Sequence, residues 1–396
     1  MRVAVITESF LPTLNGVTNS VCKVLDHLQG AGHEAVVIVP AAGSPATYAG
    51  FRVIEVPAVP YRQFNVGLPS VQMQKILADF APDVVHAASP FLLGAQAIGA
   101  SRRLGIPAVA IFQTDVAGYA RRNKLGAATK LAWRVIRWIH NDADLTLVPS
   151  SASMKDLERA GLERLERWGR GVDVDLYHPR NRVTLAATRL NTALAPDGEV
   201  VVGYVGRFAP EKQIERINQL RGIPGVRFAL VGDGPSMPAV RRALAGMPVS
   251  YLGELRGQAL AEAYASFDIF LHTGTEETFG QTLQEAHATG IPVVAPRAGG
   301  PIDLVETGVN GYLFDPEDAR EMRASVELLA RDPALRRRMG EAGRRTVVGK
   351  TWHTVCGELV EHYRRVVLAR RAATVPPALP GSPAPGASVT RTALPG

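Results

Sequence analysis

VVVGYVGRFAPEK, from Val200 to Lys212, is where the chain starts over. A short run of β-branched and apolar residues enters a glycine, then a loop carrying Arg207 and Lys212 leads toward a helix. Such a run reads as a strand buried on both faces. Runs of the same character follow it: VRFALVG, VSYLG, DIFLH and PVVAP. Before residue 200 the pattern has already appeared once, as RVAVI (Arg2 to Ile6), EAVVIV, DVVH, PAVAIF and DLTLV, with helix-length segments between them. Alternation of this kind predicts parallel sheets with helices on both faces. Two blocks of it predict an α/β chain of two doubly wound domains, joined near GVDVDLYHP, with a cleft between the carboxyl ends of their strands.

The expected division is a first domain over 1–180 and a second over 181–350. An amphipathic segment over 351–371, WHTVCGELVEHYRRVVLARR from Trp352, is expected to form a helix that crosses back to the first lobe. Residues 372–396 are rich in Pro, Ala, Gly, Ser and Thr, which cannot build a core, so a disordered tail is expected there.

With 396 residues, 46% hydrophobic and 20% charged, the composition is that of a globular chain and excludes wholesale disorder. The longest apolar runs, such as AVVIVPAA from Ala35, fall short of the roughly 20 residues a membrane-spanning helix needs. Met1 leads directly into RVAVITESF, so no signal peptide is expected. Cys22 and Cys356 stand far apart without metal-site spacing, which predicts a reducing compartment and a cytoplasmic protein. The net charge of +7 favours an anionic partner: nucleic acid, a phosphorylated metabolite or an acidic membrane leaflet.

Three motifs carry chemistry. FLPTLNGVTNSV sets Asn15 and Gly16 in a loop before a helix, where the backbone can approach an anion at the helix amino end; an ordinary capped turn reads equally well. In VGRFAPEK, Arg207 and Lys212 either neutralise a diphosphate leaving group or form a solvated pair. GTEETFGQTLQEA is the strongest. Glu277 and Glu285 stand eight apart with Phe279 and Gly280 between them, at an expected helix start near Gly280. The free amides of Gly280, Gln281 and Thr282 would then face the cleft. One carboxylate can hold sugar hydroxyls and the other a ribose diol. The plain alternative is a capped helix with surface acids, and the appearance of all three motifs in order weighs against it.

The ordered set FLPTLNG, DVVHAASP, GVDVDLYHP, VGRFAPEK, LVGDGP, YLGEL, ETFGQTLQEA and APRAGGP resembles glycosyltransferase family 4 over about residues 1 to 370. These are retaining enzymes of GT-B fold, with two Rossmann-like domains facing across a cleft. Within that family the chain looks most like actinobacterial GDP-mannose-dependent α-mannosyltransferases acting on glycolipids. The resemblance implies an acceptor-side first domain and a nucleotide-sugar-binding second domain. It places Gly16 against the donor diphosphate, Arg207 and Lys212 as the pyrophosphate clamp, Glu277 against the donor sugar and Glu285 against the ribose. Phe279, Gly280, Gln281 and Thr282 complete the donor site, and Tyr251 to Leu255 line the base. Relatives often carry a histidine where Asp115 stands; an aspartate accepts hydrogen bonds but does not readily donate one at neutral pH. Asp115 is kept as a catalytic residue with Arg207, Lys212 and Glu277. His86 in DVVHAASP follows a strand and is expected at the cleft rim, where a structural histidine is favoured over a functional one.

The implied activity is that of a retaining hexosyltransferase moving mannose from GDP-mannose to a membrane glycolipid of phosphatidylinositol or glucuronosyl diacylglycerol type. No cofactor and no metal are expected, because the basic clamp supplies the charge. YARRNKLGAATKLAWRVIRWIHNDAD, from Tyr119, interleaves Arg121, Arg122, Lys124, Lys130, Arg134 and Arg137 with Leu131, Trp133 and Trp138, a pattern that suits the surface of an anionic leaflet. Peripheral association with the inner face of the plasma membrane is the expectation, against the alternative of an ordinary structural helix. Rival functions are a UDP-sugar-dependent transferase with a soluble acceptor and a sugar-nucleotide epimerase of the same architecture. A hydride-transfer enzyme is opposed by the lack of G-x-G-x-x-G after strand one, and no motif supports nucleic-acid binding.

Overall fold

The computed structural model describes residues 1–13, 15–61, 64–67, 72–88, 90–113 and 126–374. In the first lobe the strands are β1 (Arg2–Thr7), β2 (Glu34–Pro40), β3 (Thr47–Tyr48), β4 (Phe51–Val56), β5 (Ala58–Tyr61), β6 (Phe64–Gly67), β7 (Val84–Ala88), β8 (Ala108–Ile111), β9 (Leu145–Val148) and β10 (Leu165–Arg167). Eight of them form one sheet in the order β10-β9-β8-β7-β1-β2-β4-β3, while β5 and β6 make a separate hairpin. The sheet is parallel apart from the short β3, which runs antiparallel to β4. The order reverses at β1, so the loops leaving β1 and β7 open a crevice at their carboxyl ends.

The second lobe repeats the device with β11 (Val200–Val205), β12 (Val226–Val231), β13 (Val249–Gly253), β14 (Ile269–Leu271), β15 (Val293–Pro296) and β16 (Gly311–Phe314), all parallel, in the order β13-β12-β11-β14-β15-β16. Its reversal lies between β11 and β14, which pair through Val202 with Ile269 and Gly203 with Phe270. That neighbourhood brings together two loops far apart in sequence. Most central strands are apolar throughout because helices cover both faces, and Val3, Val5, Val37, Leu147, Val201, Leu230, Ile269 and Val293 are fully buried.

Two stretches of chain cross between the lobes side by side. Val172 bridges to Thr351, and its amide donates to the Lys350 carbonyl at 2.9 Å. A Cβ at Gly171 would lie 2.4 Å from the backbone of Trp352, so the two crossings approach this closely only because position 171 has no side chain. The second crossing continues into the helix Trp352–Thr374, which returns to the first lobe. Its Val355, Leu359, Val360 and Tyr363 are buried with Val3, Val21, Val24 and Leu28 in one cluster. Ion pairs from Arg370 to Asp144 at 2.7 Å and from Arg371 to Asp83 at 3.3 Å hold its far end. The sequence beyond residue 374, where most of the expected tail falls, lies outside the described residues. Among the described residues no helix is long and apolar enough to cross a membrane.

Candidate functional site

The loops leaving β11 and β14 meet at the reversal point of the second sheet. Lys212 closes a short turn over Pro210–Lys212, and its carbonyl accepts a hydrogen bond from Thr273 Oγ1 at 2.7 Å. That contact ties one loop to the other. The Lys212 ammonium then reaches Glu277 Oε2 at 2.7 Å, with both side chains largely buried. Glu277 Oε1 also accepts from the Phe279 amide at 3.4 Å. Burial works to raise the pKa of this carboxyl, but the Lys212 charge, with His272 and the Phe279 amide, outweighs it and holds the group down to about 2. His272 itself is buried and pushed down to about 4 by the loss of solvent, so it is neutral at pH 7.

The loop carrying Glu277 rests on Gly299 and Gly300. The Gly300 amide donates to the Glu277 carbonyl at 2.6 Å, and a Cβ at Gly299 would lie 2.3 Å from that same oxygen. Gly299 also adopts φ +62°, which other residues reach only with strain. Gly280 caps the helix Gln281–Thr289, whose first amides have no helical carbonyl to meet. Glu285 lies one turn further along. Tyr264 donates its hydroxyl to Glu285 Oε2 at 2.8 Å, but burial dominates and lifts this carboxyl to about 7. Phe279 is buried, with its ring 3.5 Å from the Cβ position of Gly169, and Gln281 Nε2 donates to the Gly171 carbonyl at 3.1 Å. The Thr282 carbonyl accepts from Tyr264 at 3.2 Å. Arg207, on the same loop as Lys212, pairs with Glu211 at 2.5 Å and is 58% exposed.

The first lobe contributes its own reversal point. Asn15 caps the helix Gly16–Gly30, accepting from the amides of Val17 at 2.9 Å and Thr18 at 3.0 Å. Glu8, just past β1, accepts through Oε1 from the amides of Phe91, Leu93 and Gly94 at 3.1, 2.7 and 3.0 Å. It thereby caps the helix that follows β7. Between the lobes, Asp303 takes the Ser151 amide at 2.6 Å, the Ser151 hydroxyl at 2.5 Å and Arg167 at 2.9 Å. Sequence reasoning passed over Glu8, Tyr264, Arg167, Arg170 and Asp303. The sequence signal that bore on them was the placement of Glu8 just after a strand and of Arg170 between two glycines.

His86 is buried on β7 with Nδ1 against the Tyr363 hydroxyl, a structural partnership rather than a cleft position. Asp115, Arg121, Arg122 and Lys124 lie outside the described residues. Lys130 and Arg134 are exposed on the helix Gly126–Asn141. Trp133 of the same helix packs partly against Phe112, Ile136 and Leu157, whereas Leu131 and Trp138 are each 60% exposed. The aromatic ring offered to solvent is therefore Trp138, because Trp133 shares a face with the buried Ile136.

Two open α/β lobes joined by paired crossings, with a cation and a carboxylate locked at the reversal point of the second, define a GT-B glycosyltransferase. The solved structure of Anabaena Alr3699/HepE in complex with UDP matches this architecture with a TM-score of 0.77, over 92% of this chain and 100% of that one, at 21% identity. Residues 14–176 match the model of Glycosyltransferase Family 4, and residues 190–346 match Glycosyl transferases group 1. A GDP-mannose-dependent alpha-mannosyltransferase of Mycolicibacterium smegmatis is 46% identical over 94% of this chain and 99% of its own length. One of Corynebacterium glutamicum is 41% identical over 93% of this chain and 89% of its own. The chain belongs to glycosyltransferase family 4.

Proposed function

We propose that the protein transfers mannose from GDP-mannose to a lipid-linked acceptor, with retention at the anomeric carbon and without a metal. The observation that carries this reading is the buried Lys212–Glu277 pair beside the open amino end of the helix Gln281–Thr289. A carboxylate held ionised at neutral pH accepts hydrogen bonds from sugar hydroxyls. Helix amides and the Lys212 ammonium meet the diphosphate, where fixed charge is worth most. Glu285 and its Tyr264 partner suit a ribose diol. The donor named for the relatives supports GDP-mannose over a UDP-linked sugar.

In the proposed reaction the bond from the anomeric carbon to the diphosphate oxygen breaks, and its electron pair leaves with the diphosphate. The acceptor hydroxyl oxygen bonds to that carbon from the same face. Its proton passes to the departing phosphate oxygen. Lys212 and Arg207 stabilise the leaving charge, the role a divalent ion fills elsewhere. Asp115 is assigned to the acceptor hydroxyl. The exposed Lys130, Leu131, Arg134 and Trp138 support docking on the inner, anionic face of the plasma membrane, together with Arg121, Arg122 and Lys124.

The test is a transfer assay with labelled GDP-mannose, an actinobacterial lipid extract and excess EDTA, reading label in the organic phase and the anomeric coupling of the product. Label in an α-linked glycolipid with EDTA present is expected. Transfer from UDP-sugars alone, or loss of transfer in EDTA, would overturn the donor or the metal assignment respectively. Flotation on vesicles with and without anionic lipid tests the membrane face. Equal binding to both compositions would sink that part.

A further inference from the structure

Arg170 sits in the first crossing between the lobes, flanked by Gly169 and Gly171. Its Nη2 donates to Gln113 Oε1 at 3.0 Å. Its Nη1 lies 3.0 Å from the place a Cβ would occupy at Gly16, the first residue of the helix Gly16–Gly30. Arg170 is partly buried, and a guanidinium that gives up solvent normally faces a carboxylate, since desolvating a charge without one is costly. Here, among the described residues, its hydrogen-bond partner is the neutral Gln113. Burial lowers its pKa and the nearby charge of Glu277 opposes that shift, so Arg170 lies within electrostatic reach of the donor site across the cleft.

The charges therefore line up from one lobe to the other. Glu277 is neutralised by Lys212 on its own lobe and senses Arg170 from the crossing strap. Arg170 in turn lies against the amino end of a 15-residue helix, another positive locus.

We propose that Arg170 is a third cationic contact for the donor diphosphate, supplied by the interlobe strap, and that it engages the phosphate distal to the nucleoside. This rests on the donor-site reading above. With the nucleoside held by the second lobe near Glu285, the distal phosphate is the one that reaches toward the first lobe, where Arg170 waits on Gln113. A planar fork of donors suits two phosphate oxygens. The glycine at position 16 then has a second use, because a methyl group there would press on the Arg170 guanidinium.

The experiment is calorimetric binding of GDP and GMP to the full chain, in wild type, Arg170→Gln and Arg170→Lys, with UDP and UMP in parallel. Removing Arg170 is expected to weaken GDP at least about tenfold while GMP changes less than about twofold. Arg170→Lys should recover part of the loss, and Gly16→Ala should cost less in the Arg170→Gln background than in wild type. Equal losses for diphosphate and monophosphate, or intact GDP binding with a raised acceptor KM, would overturn the inference; the second outcome would reassign the cation to an anionic acceptor. If wild type binds neither diphosphate, the donor reading itself falls. If wild type binds and Arg170→Gln binds equally well, only this inference does.

Discussion

Glu277 and Glu285 belong to one loop-and-helix unit, yet their environments drive them in opposite directions. Glu277 is held near 2 by Lys212, and Glu285 is lifted to about 7 by burial beside Tyr264. Replacing Lys212 with Ala strands a buried carboxylate. It should lower kcat by about 10²-fold or more, and unfolding should become easier by about 3 kcal/mol; steady-state kinetics with a thermal melt reads both. For Glu285 the folded pKa is raised above the ordinary 4.5, so the folded state binds the extra proton between that value and about 7. Its contribution to stability is present below 4.5 and is lost as pH climbs through 7. A nucleotide whose ribose hydroxyls donate to Glu285 must bind the ionised form. Nucleoside diphosphate affinity should therefore rise as pH passes upward through about 7, with proton release on binding. Glu285→Gln should flatten that dependence, as titration in buffers of different ionisation enthalpy would reveal.

At the level of elements, the Trp352–Thr374 helix is fixed by a polar contact as well as by its apolar face. Removing the hydroxyl in Tyr363→Phe leaves His86 Nδ1 buried without its partner, and should cost about 1–3 kcal/mol in chemical denaturation. An unchanged midpoint would show that packing alone secures the helix. Ten of the sixteen strands among the described residues were legible in the sequence, because covering a parallel sheet on both faces demands unbroken apolar runs such as VVVGYV or EAVVIV. The others were not: β4, FRVIEV, mixes charged with apolar residues, and β3, β5, β6, β10 and β16 span only two to four residues each. What the sequence does not carry is strand order. Lys212 and Glu277 lie 65 residues apart and meet only because β11 and β14 are neighbours. Family resemblance, not spacing, brought them together beforehand. The outward aromatic on the Gly126–Asn141 helix was legible in principle. Ile136 and Ile139 are buried at a three-residue step, which turns Trp133 inward and Leu131 and Trp138 outward. Arg170 belongs to no periodic element, so pattern reading had no purchase on it.

Across the whole molecule, the lobes are tied by the paired crossings and by the Asp303 clasp on Ser151 and Arg167. Asp303 stands only three residues past Gly300, which carries the Glu277 loop, so the clasp and the proposed donor site share one short segment. Asp303→Ala should widen the cleft, seen as a larger radius of gyration in small-angle scattering without nucleotide, and should raise the donor KM more than it lowers kcat. No change in scattering would mean that the crossings alone set the spacing. The returning helix has a consequence for biosynthesis. The cluster formed by Val3, Val21 and Leu28 is completed by Val355, Leu359 and Tyr363, more than 320 residues downstream. The amino-terminal half therefore leaves the ribosome with an apolar groove open, and waits through the synthesis of the entire second lobe before anything native can fill it. A nascent chain in that position is a natural client for a chaperone that shields apolar grooves, and a transcript cut short would yield a half-molecule prone to aggregate rather than a working domain.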